Sequence, residues 1–404
     1  MVCQKSKVND WVEHFREHYP QWTVFDATSQ KKEDKRAYEY GFWMNYRNGN
    51  KVVPSIIVIN YDLLWRRPEL LKLQNFTLML DESSLIQNEN SKRSKFILRM
   101  QPKNVILLSG TPCGGKYELL WSQMHLLGWK ISKTMYWDQY VRSHYEDVSG
   151  FPLRVIDGYK NVDRLKRKMR EHGCLFLKTE EVMDLPDQVF QKVYVPVTTA
   201  YKKFMRDRIV TLGGKWVDYC DESGNMQQEF RGGKELVGDT TLTKLLYARM
   251  LCGVYSVDKL NAFKDLVEST SDRVIVFYNF TSELDAMQGI LMDEDYENHK
   301  RFSLVNGSDK HLQNYEDRSD SITFIQYQAG AYGLNLQKAC RIIYFTPPLG
   351  SELYLQSQKR IHRIGQKSTC FYYNLICRGS VEEKIYETLS KRKDYTEALF
   401  EFDQ

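Results

Sequence analysis

Two adjacent carboxylates, Asp81 and Glu82, stand directly after the apolar run Thr77-Leu-Met-Leu and directly before Ser83-Ser84. In an open α/β sheet the carboxyl ends of strands are where ligands gather, so a pair placed there can divide two tasks. One carboxylate can hold Mg²⁺ directly or through water, while the other orients and deprotonates a water attacking a γ-phosphate. The same pair is also a common helix N-terminal cap, and by itself it does not choose between the two readings. A second apolar run, Val105 to Leu108, ends in Ser109-Gly110-Thr111-Pro112, a turn whose hydroxyls would be aimed at whatever the carboxylates hold. Far downstream, Gln356-Ser-Gln-Lys-Arg360-Ile-His-Arg363-Ile-Gly-Gln366 spaces two arginines three apart, which predicts one helix face. Guanidinium forks so placed suit a triphosphate, where they neutralise charge developing in phosphoryl transfer. For an isolated pair of this kind, the competing reading is a basic surface helix.

These groups need strands to carry them. Short apolar runs bounded by turn residues occur at Ser55-IIVI-Asn60, Thr77-LML-Asp81 and Val105-ILL-Ser109. The second half adds Arg273-VIVFY-Asn279, Ile322-TFI-Gln326, Arg341-IIYF-Thr346 and Cys370-FYYNLI-Cys377. Near-continuous apolar strands predict parallel sheets covered on both faces, hence an α/β fold with two sheets. Val8, Trp11, Val12, Phe15 and Tyr19 share a helical face that Pro20 ends, and Ser380 with Glu383 forms a capping box ahead of Val381, Ile385 and Leu389. The long stretch from about Gly128 to Asp272 separates the strand clusters and must hold the domain boundary. Leu185-Pro186-Asp187 and the extended segment Val189 to Pro196 place that boundary near residue 190, giving domains 1–190 and 191–404. Between Gly213-Gly214 and Gly232-Gly233, the segment Trp216 to Phe230 carries Asp221-Glu-Ser-Gly-Asn225 in its middle and predicts a protruding hairpin hinged on glycines.

Bulk properties bound the class. With 404 residues and 42% apolar side chains the chain can bury a large core, and at roughly 150 residues per domain it should form two or three domains. Apolar runs fall far short of the roughly 20 residues a bilayer crossing needs, and no secretory signal pattern opens the chain, so a cytoplasm-like compartment is expected. The eight cysteines are scattered without a CxxC pair, which argues for reduced structural thiols and against a zinc knuckle. A net charge of +5, from 57 basic and 52 acidic residues, is compatible with a polyanionic partner but far from the extreme of a purely electrostatic DNA coat, and charge alone decides nothing. The basic runs Lys31 to Arg36, Arg66-Arg67 and Arg164 to Arg170 read first as solvated helix faces.

Taken in order, VCQKSKVNDW (Val2 to Trp11), VINYDLL (Val58 to Leu64), LDESSLIQN (Leu80 to Asn88), LLSGTP (Leu107 to Pro112), QAGAYGLNLQKA (Gln328 to Ala339) and QSQKRIHRIGQ (Gln356 to Gln366) resemble Swi/Snf-type superfamily-two helicases. The resemblance runs nearly the whole chain, and its most family-specific piece is RIHRIGQ followed by a strand and Val381-Glu-Glu-Lys-Ile. It implies two RecA-like lobes, each a mostly parallel sheet flanked by helices, with family-specific helical insertions between them. ATP and Mg²⁺ are the implied cofactors, and double-stranded DNA, held by its backbone phosphates, is the implied partner. On this resemblance Asp81 would help hold Mg²⁺, Glu82 would activate water, and Ser109 and Thr111 would couple nucleotide state to DNA grip. Gly330, Gly333 and Asn335 would form the second lobe's loop facing nucleotide and DNA, because bare backbone must approach phosphate there. Gln356 would contact the nucleotide region, Arg360 and Arg363 would be the arginine fingers, and Lys5, Ser6, Asn60 and Tyr61 would touch DNA phosphates. Such contacts give affinity and salt dependence without sequence choice. Replication or repair proteins are further expected partners, membranes are not, and the expected location is a bacterial or phage-infected cytoplasm, or a nucleus if the source is eukaryotic.

The pattern also breaks. The family opens with a strand and a GxGKT-type loop that cradles the β- and γ-phosphates, whereas Val2 to Trp11 matches the block after it. Gly110-Thr-Pro-Cys-Gly-Gly115-Lys116 fits GxxxxGK, but Tyr117 stands where Ser or Thr would ligate Mg²⁺, and Pro112 lacks an N–H donor. The 404 residues alone are therefore expected to lack turnover unless residues upstream, or a separate N-terminal piece, supply the loop. Ser83-Ser84, Gln4, Ala331 and Lys359 are lesser departures that bear on fine coupling. Two rivals remain: a non-hydrolysing DNA-binding scaffold with a degenerate ATPase site, and an unrelated phosphate-loop kinase built on Gly110 to Lys116.

Overall fold

The computed structural model describes every residue except 48–54, 149–150, 177–183, 214, 221–225, 232, 293–295, 331–333 and 401–404. The chain divides into two compact units, Met1–Lys178 with Arg392–Gln404, and Thr179–Lys391.

The first unit is built on strands β1 (Val2–Cys3), β2 (Thr23–Asp26), β3 (Ser55–Asn60), β4 (Thr77–Asp81) and β5 (Asn104–Leu108), in the order β2-β3-β1-β4-β5 and parallel throughout. One face buries Val2, Ile59, Leu78 and Leu80 against Ile86, Phe96 and Ile97, the last two from the helix Lys92–Arg99. The other face buries Cys3 and Val58 under Val8, Val12 and Phe15 of helix α1 (Val8–His18). That helix follows the predicted face, except that Tyr19 lies beyond its end and is exposed. Strand β5 departs from expectation, because Ile106 is 44% and Leu108 37% exposed. It is an edge strand, and on the face it shares with Met79 the cluster under α1 draws in Val24, Cys3, Val58 and Met79 of the other four strands but, among the described residues, none of β5. An antiparallel hairpin, β6 (Val141–Val148) with β7 (Phe151–Tyr159), completes the unit beside a cluster of Tyr117, Tyr136, Tyr140 and Leu165.

The second unit carries β8 (Gln188–Val195), the short antiparallel pair β9 (Ile209–Leu212) and β12 (Lys234–Val237), and the antiparallel pair β10 (Lys215–Cys220) and β11 (Met226–Arg231). The paired β10 and β11 fit the expected hairpin, whose tip Asp221–Asn225 lies outside the described residues together with Gly214 and Gly232. Its main sheet adds β13 (Val274–Tyr278), β14 (Phe302–Val305), β15 (Lys310–His311), β16 (Ile322–Gln326), β17 (Arg341–Tyr344) and β18 (Cys370–Cys377) in the order β15-β14-β16-β13-β17-β18-β8. All neighbours are parallel except β14 with β15. Every residue of β13 is buried, as its unbroken VIVFY run predicts for a central strand covered on both faces. The segment at Val189 is the edge strand of this sheet, paired with β18 along its whole length. The α/β reading with two mostly parallel sheets therefore holds, with three two-stranded antiparallel pairs added among the described residues. Among the described residues no helix is long and apolar enough to cross a membrane.

Candidate functional site

In the first unit, β4 delivers Asp81 at its carboxyl end, and the chain turns at once into a 3-10 turn, Ser83–Ile86. Glu82 sits at the junction with φ 51° and ψ 58°, left-handed backbone that costs a non-glycine residue about 1–2 kcal/mol. Two of the other three described non-glycine residues with positive φ are asparagines, which tolerate it; Glu82 is a bulkier exception at a chemically loaded place. Its carbonyl accepts from the Leu85 amide at 2.9 Å, and the Tyr61 hydroxyl donates to the Asp81 carbonyl at 2.8 Å. Tyr61 is buried, and burial, reinforced by the charge of Asp81, pushes its hydroxyl far above the ordinary value, so it remains a donor. Trp11 of α1 donates its indole N–H to Asp81 Oδ2 at 3.0 Å, which fixes that carboxylate. Both residues are half-buried, with Glu82 Oε2 itself buried.

A chain of hydrogen bonds links this turn to Ser109–Pro112. Ser83 donates to Gln123 Oε1 at 2.8 Å, Gln123 Nε2 donates to the Pro112 carbonyl at 2.6 Å, and Gln87 Nε2 donates to the same carbonyl at 3.1 Å. Ser109 Oγ accepts from the Thr111 amide at 3.2 Å, with Thr111 buried and Ser109 half-buried. Sequence reasoning missed Gln87 and Gln123. The signal was Gln123 on the helix just after the turn, a polar residue among Leu119, Leu120, Met124 and Leu126.

The rival reading of Gly110 to Lys116 as a phosphate loop finds no support. The segment leads into a four-residue 3-10 turn, Tyr117–Leu120, and the α-helix that continues it, Trp121–Leu126, starts only at the fifth residue after Lys116, so its N-terminal amides are set back from the loop. Gly115 has φ 76°, and a Cβ there would lie 2.1 Å from the Arg392 carbonyl oxygen, so close backbone packing explains this glycine. Its carbonyl accepts from Arg392 at 3.1 Å, and Tyr159 donates to Glu118 at 2.7 Å beside it. Of the residues expected at DNA, Lys5 and Ser6 are exposed on the 3-10 turn after β1, whereas Asn60 and Tyr61 are buried. Tyr61 in particular is already committed to the acidic turn.

In the second unit, helix Ser351–Gln358 ends before either arginine. Arg360 and Arg363 lie in the turns after it, so the expected single helix face is corrected: turns present them. They nevertheless meet at one atom. Arg360 donates to the Leu334 carbonyl at 3.1 Å and Arg363 to the same carbonyl at 3.4 Å. Arg360 is 8% exposed and also donates to the Gln356 carbonyl at 3.0 Å and to Gln356 Oε1 at 3.1 Å. Gln356 is itself buried and so holds Arg360 in place. Arg363 is half-buried and donates to the exposed Asn335 side chain. His362 pins the turn from behind: Nε2 donates to the Pro186 carbonyl at 2.9 Å, which leaves Nδ1 to accept from Gln188 at 3.1 Å. Gln366 closes it, donating to the Ala339 carbonyl at 2.8 Å. Gly330 ends the short helix Tyr327–Gly330, and Gly333 and Ala331 lie outside the described residues.

The donor chemistry of the acidic turn fits Mg²⁺, a hard cation that takes carboxylate oxygen and keeps several waters, at a strand end that is half open to solvent.

The chain is similar to known proteins along nearly its whole length. Residues 1–252 match the SNF2-related domain and residues 258–365 the helicase conserved C-terminal domain. The chain belongs to the SNF2-related family, the Swi/Snf-type helicase-like ATPases. It is 23% identical over 96% of its length to the mouse SWI/SNF-related matrix-associated actin-dependent regulator of chromatin subfamily A member 1, covering 37% of that protein. It is 21% identical over 98% of its length to an uncharacterized ATP-dependent helicase of Mycoplasma genitalium, covering 36%. A mouse DNA repair and recombination protein, RAD54-like, is 23% identical over the whole chain, which spans 58% of it. The chain thus spans about a third to somewhat over half of these relatives.

Proposed function

We propose that this chain is the motor core of an ATP-dependent translocase on double-stranded DNA. The observation that carries the reading is the hydrogen-bonded path Ser83–Gln123–Pro112, which ties the acidic turn to the backbone of the Ser109–Pro112 turn. A change at the acidic turn then has a covalent and hydrogen-bonded route to a second loop, which is what coupling hydrolysis to DNA grip requires. Asp81 holds the metal, and Mg²⁺ when bound offsets phosphate charge. Glu82 takes a proton from the attacking water. Arg363 neutralises charge developing on the phosphates, and Arg360 and Gln356 hold the turn that presents it. Lys5 and Ser6, both exposed, take DNA backbone phosphates together with Ser109 and Asn335, and Gly330 and Gly333 let backbone approach phosphate.

The test is duplex-stimulated ATP hydrolysis by the chain, and by a form extended N-terminally with a glycine-rich phosphate loop. The expected result is hydrolysis that rises with duplex length in the extended form, with displacement of a third strand from a triplex as evidence of movement. DNA binding without hydrolysis in both forms would overturn the motor reading in favour of a non-hydrolysing scaffold.

A further inference from the structure

The second unit buries a group of reactive side chains that the proposed motor does not use. Cys252 ends helix Thr241–Cys252, and Cys377 ends β18; each is 1% exposed. Their sulfurs and a Glu382 carboxylate oxygen all lie within 4.8 Å of one another. Cys377 Sγ is 3.4 Å from the Cys252 carbonyl and 4.0 Å from Ser256 Oγ. Two thiols and a carboxylate suggest a metal site, but its cation position is taken. Lys259 Nζ donates to both Glu382 oxygens, at 2.6 and 2.8 Å, with both side chains 0% exposed. A divalent ion there would have to displace a buried ammonium and leave its charge unpaired, which is strongly unfavourable.

We propose that Cys252 and Cys377 are an oxidisable dithiol, a modification site that closes to a disulfide when the protein meets a hydroperoxide. The thiols differ in the way the reaction needs. Cys377 is held below its ordinary value, chiefly by the hydrogen bond from Cys252 and with help from Lys259. Cys252 is pushed up by the same hydrogen bond and by burial. Of the two, Cys377 gives up its proton the more readily and is the attacking sulfur. It bonds to one peroxide oxygen, the O–O bond breaks, and the leaving hydroxide takes the thiol proton as water. Cys252 then loses its proton, attacks the Cys377 sulfenic sulfur and displaces a second water. Two thiols are oxidised and one peroxide is reduced. The bond ties the end of the helix to the end of the strand, where both pack among Tyr201, Phe204 and Leu251.

The experiment exposes the folded full chain to hydrogen peroxide, blocks remaining thiols in denaturant, and maps non-reduced peptides. The expected result is one linked pair joining the Cys252 and Cys377 peptides, reversed by dithiothreitol and formed faster in the folded chain than in urea. In Cys377→Ser, Cys252 should stay a thiol. The proposal is overturned if the more accessible Cys174 and Cys340 oxidise while the pair stays reduced, if Cys377 goes on to sulfinic acid unlinked, or if linkage needs urea. The wild-type map decides this even where a variant fails to fold.

Discussion

The acidic turn of the first unit and the arginine turn of the second solve the same problem by different means. Each must hold two like charges close in sequence and give them different surroundings. Asp81 and Glu82 are adjacent, so only a backbone reversal can separate their directions, and Glu82 takes the left-handed conformation that does it. Arg360 and Arg363 are three apart, and no described non-glycine residue between them has positive φ. Spacing does there what strain does at Glu82. The outcome is also unequal, since Arg360 is sunk among carbonyls and a buried glutamine while Arg363 reaches the exposed Asn335. Two arginines that look equivalent in sequence have separate work: one builds the turn and the other is presented by it.

The comparison breaks first at turnover. In a hydrolysing form of the protein, Glu82→Gln should lower DNA-stimulated phosphate release by about 10²–10⁴-fold, the usual worth of a positioned general base. Nucleotide binding, read by a fluorescent analogue, should persist; retained turnover would remove Glu82 from the chemistry. Arg363→Ala should cost about 10³-fold in the same assay, the scale of an arginine finger, and leave the melting temperature unchanged. Arg360→Ala should divide the other way. It takes the charged donor from buried Gln356 and leaves the Leu334 carbonyl with only the longer bond from Arg363, which should cost about 2 kcal/mol of stability in denaturant unfolding. Equal stability losses in the two arginine variants would erase the distinction.

Much of this is legible in sequence where one physical rule dominates. An unbroken apolar run such as Val274 to Tyr278 admits few fates other than a covered strand, and the same logic places the acid pair after Thr77-LML at a strand end. The features that escape depend on partners distant in the chain. Gln123 reads as an ordinary helix residue until Ser83 and the Pro112 carbonyl are seen beside it. Strand β5 has the composition of an interior strand, and only its neighbours reveal an edge. The capping box at Ser380 shows a local rule bent by a remote one. Ser380 Oγ accepts from the Glu382 amide and Glu383 from the Gly379 amide, one residue off the expected pairing, while Glu382 turns inward to Lys259. No spacing pattern announces an ion pair whose members are 123 residues apart.

The smallest effect is the sharpest probe of strain at the acidic turn. Glu82→Gly removes the Cβ that makes φ 51° costly, a relief of about 1–2 kcal/mol. Glycine also enlarges the freedom of the unfolded chain, a loss of roughly 0.5–1 kcal/mol. The first term is the larger at mid-range, so the variant should be more stable by up to about 1.5 kcal/mol while hydrolysis is abolished. Denaturant midpoints at unchanged slope would read this difference, with Glu82→Ala as the control that keeps a Cβ and so should lack the gain. If glycine proves no better than alanine, the left-handed turn carries no stored strain, and the contrast with the arginine turn reduces to burial alone.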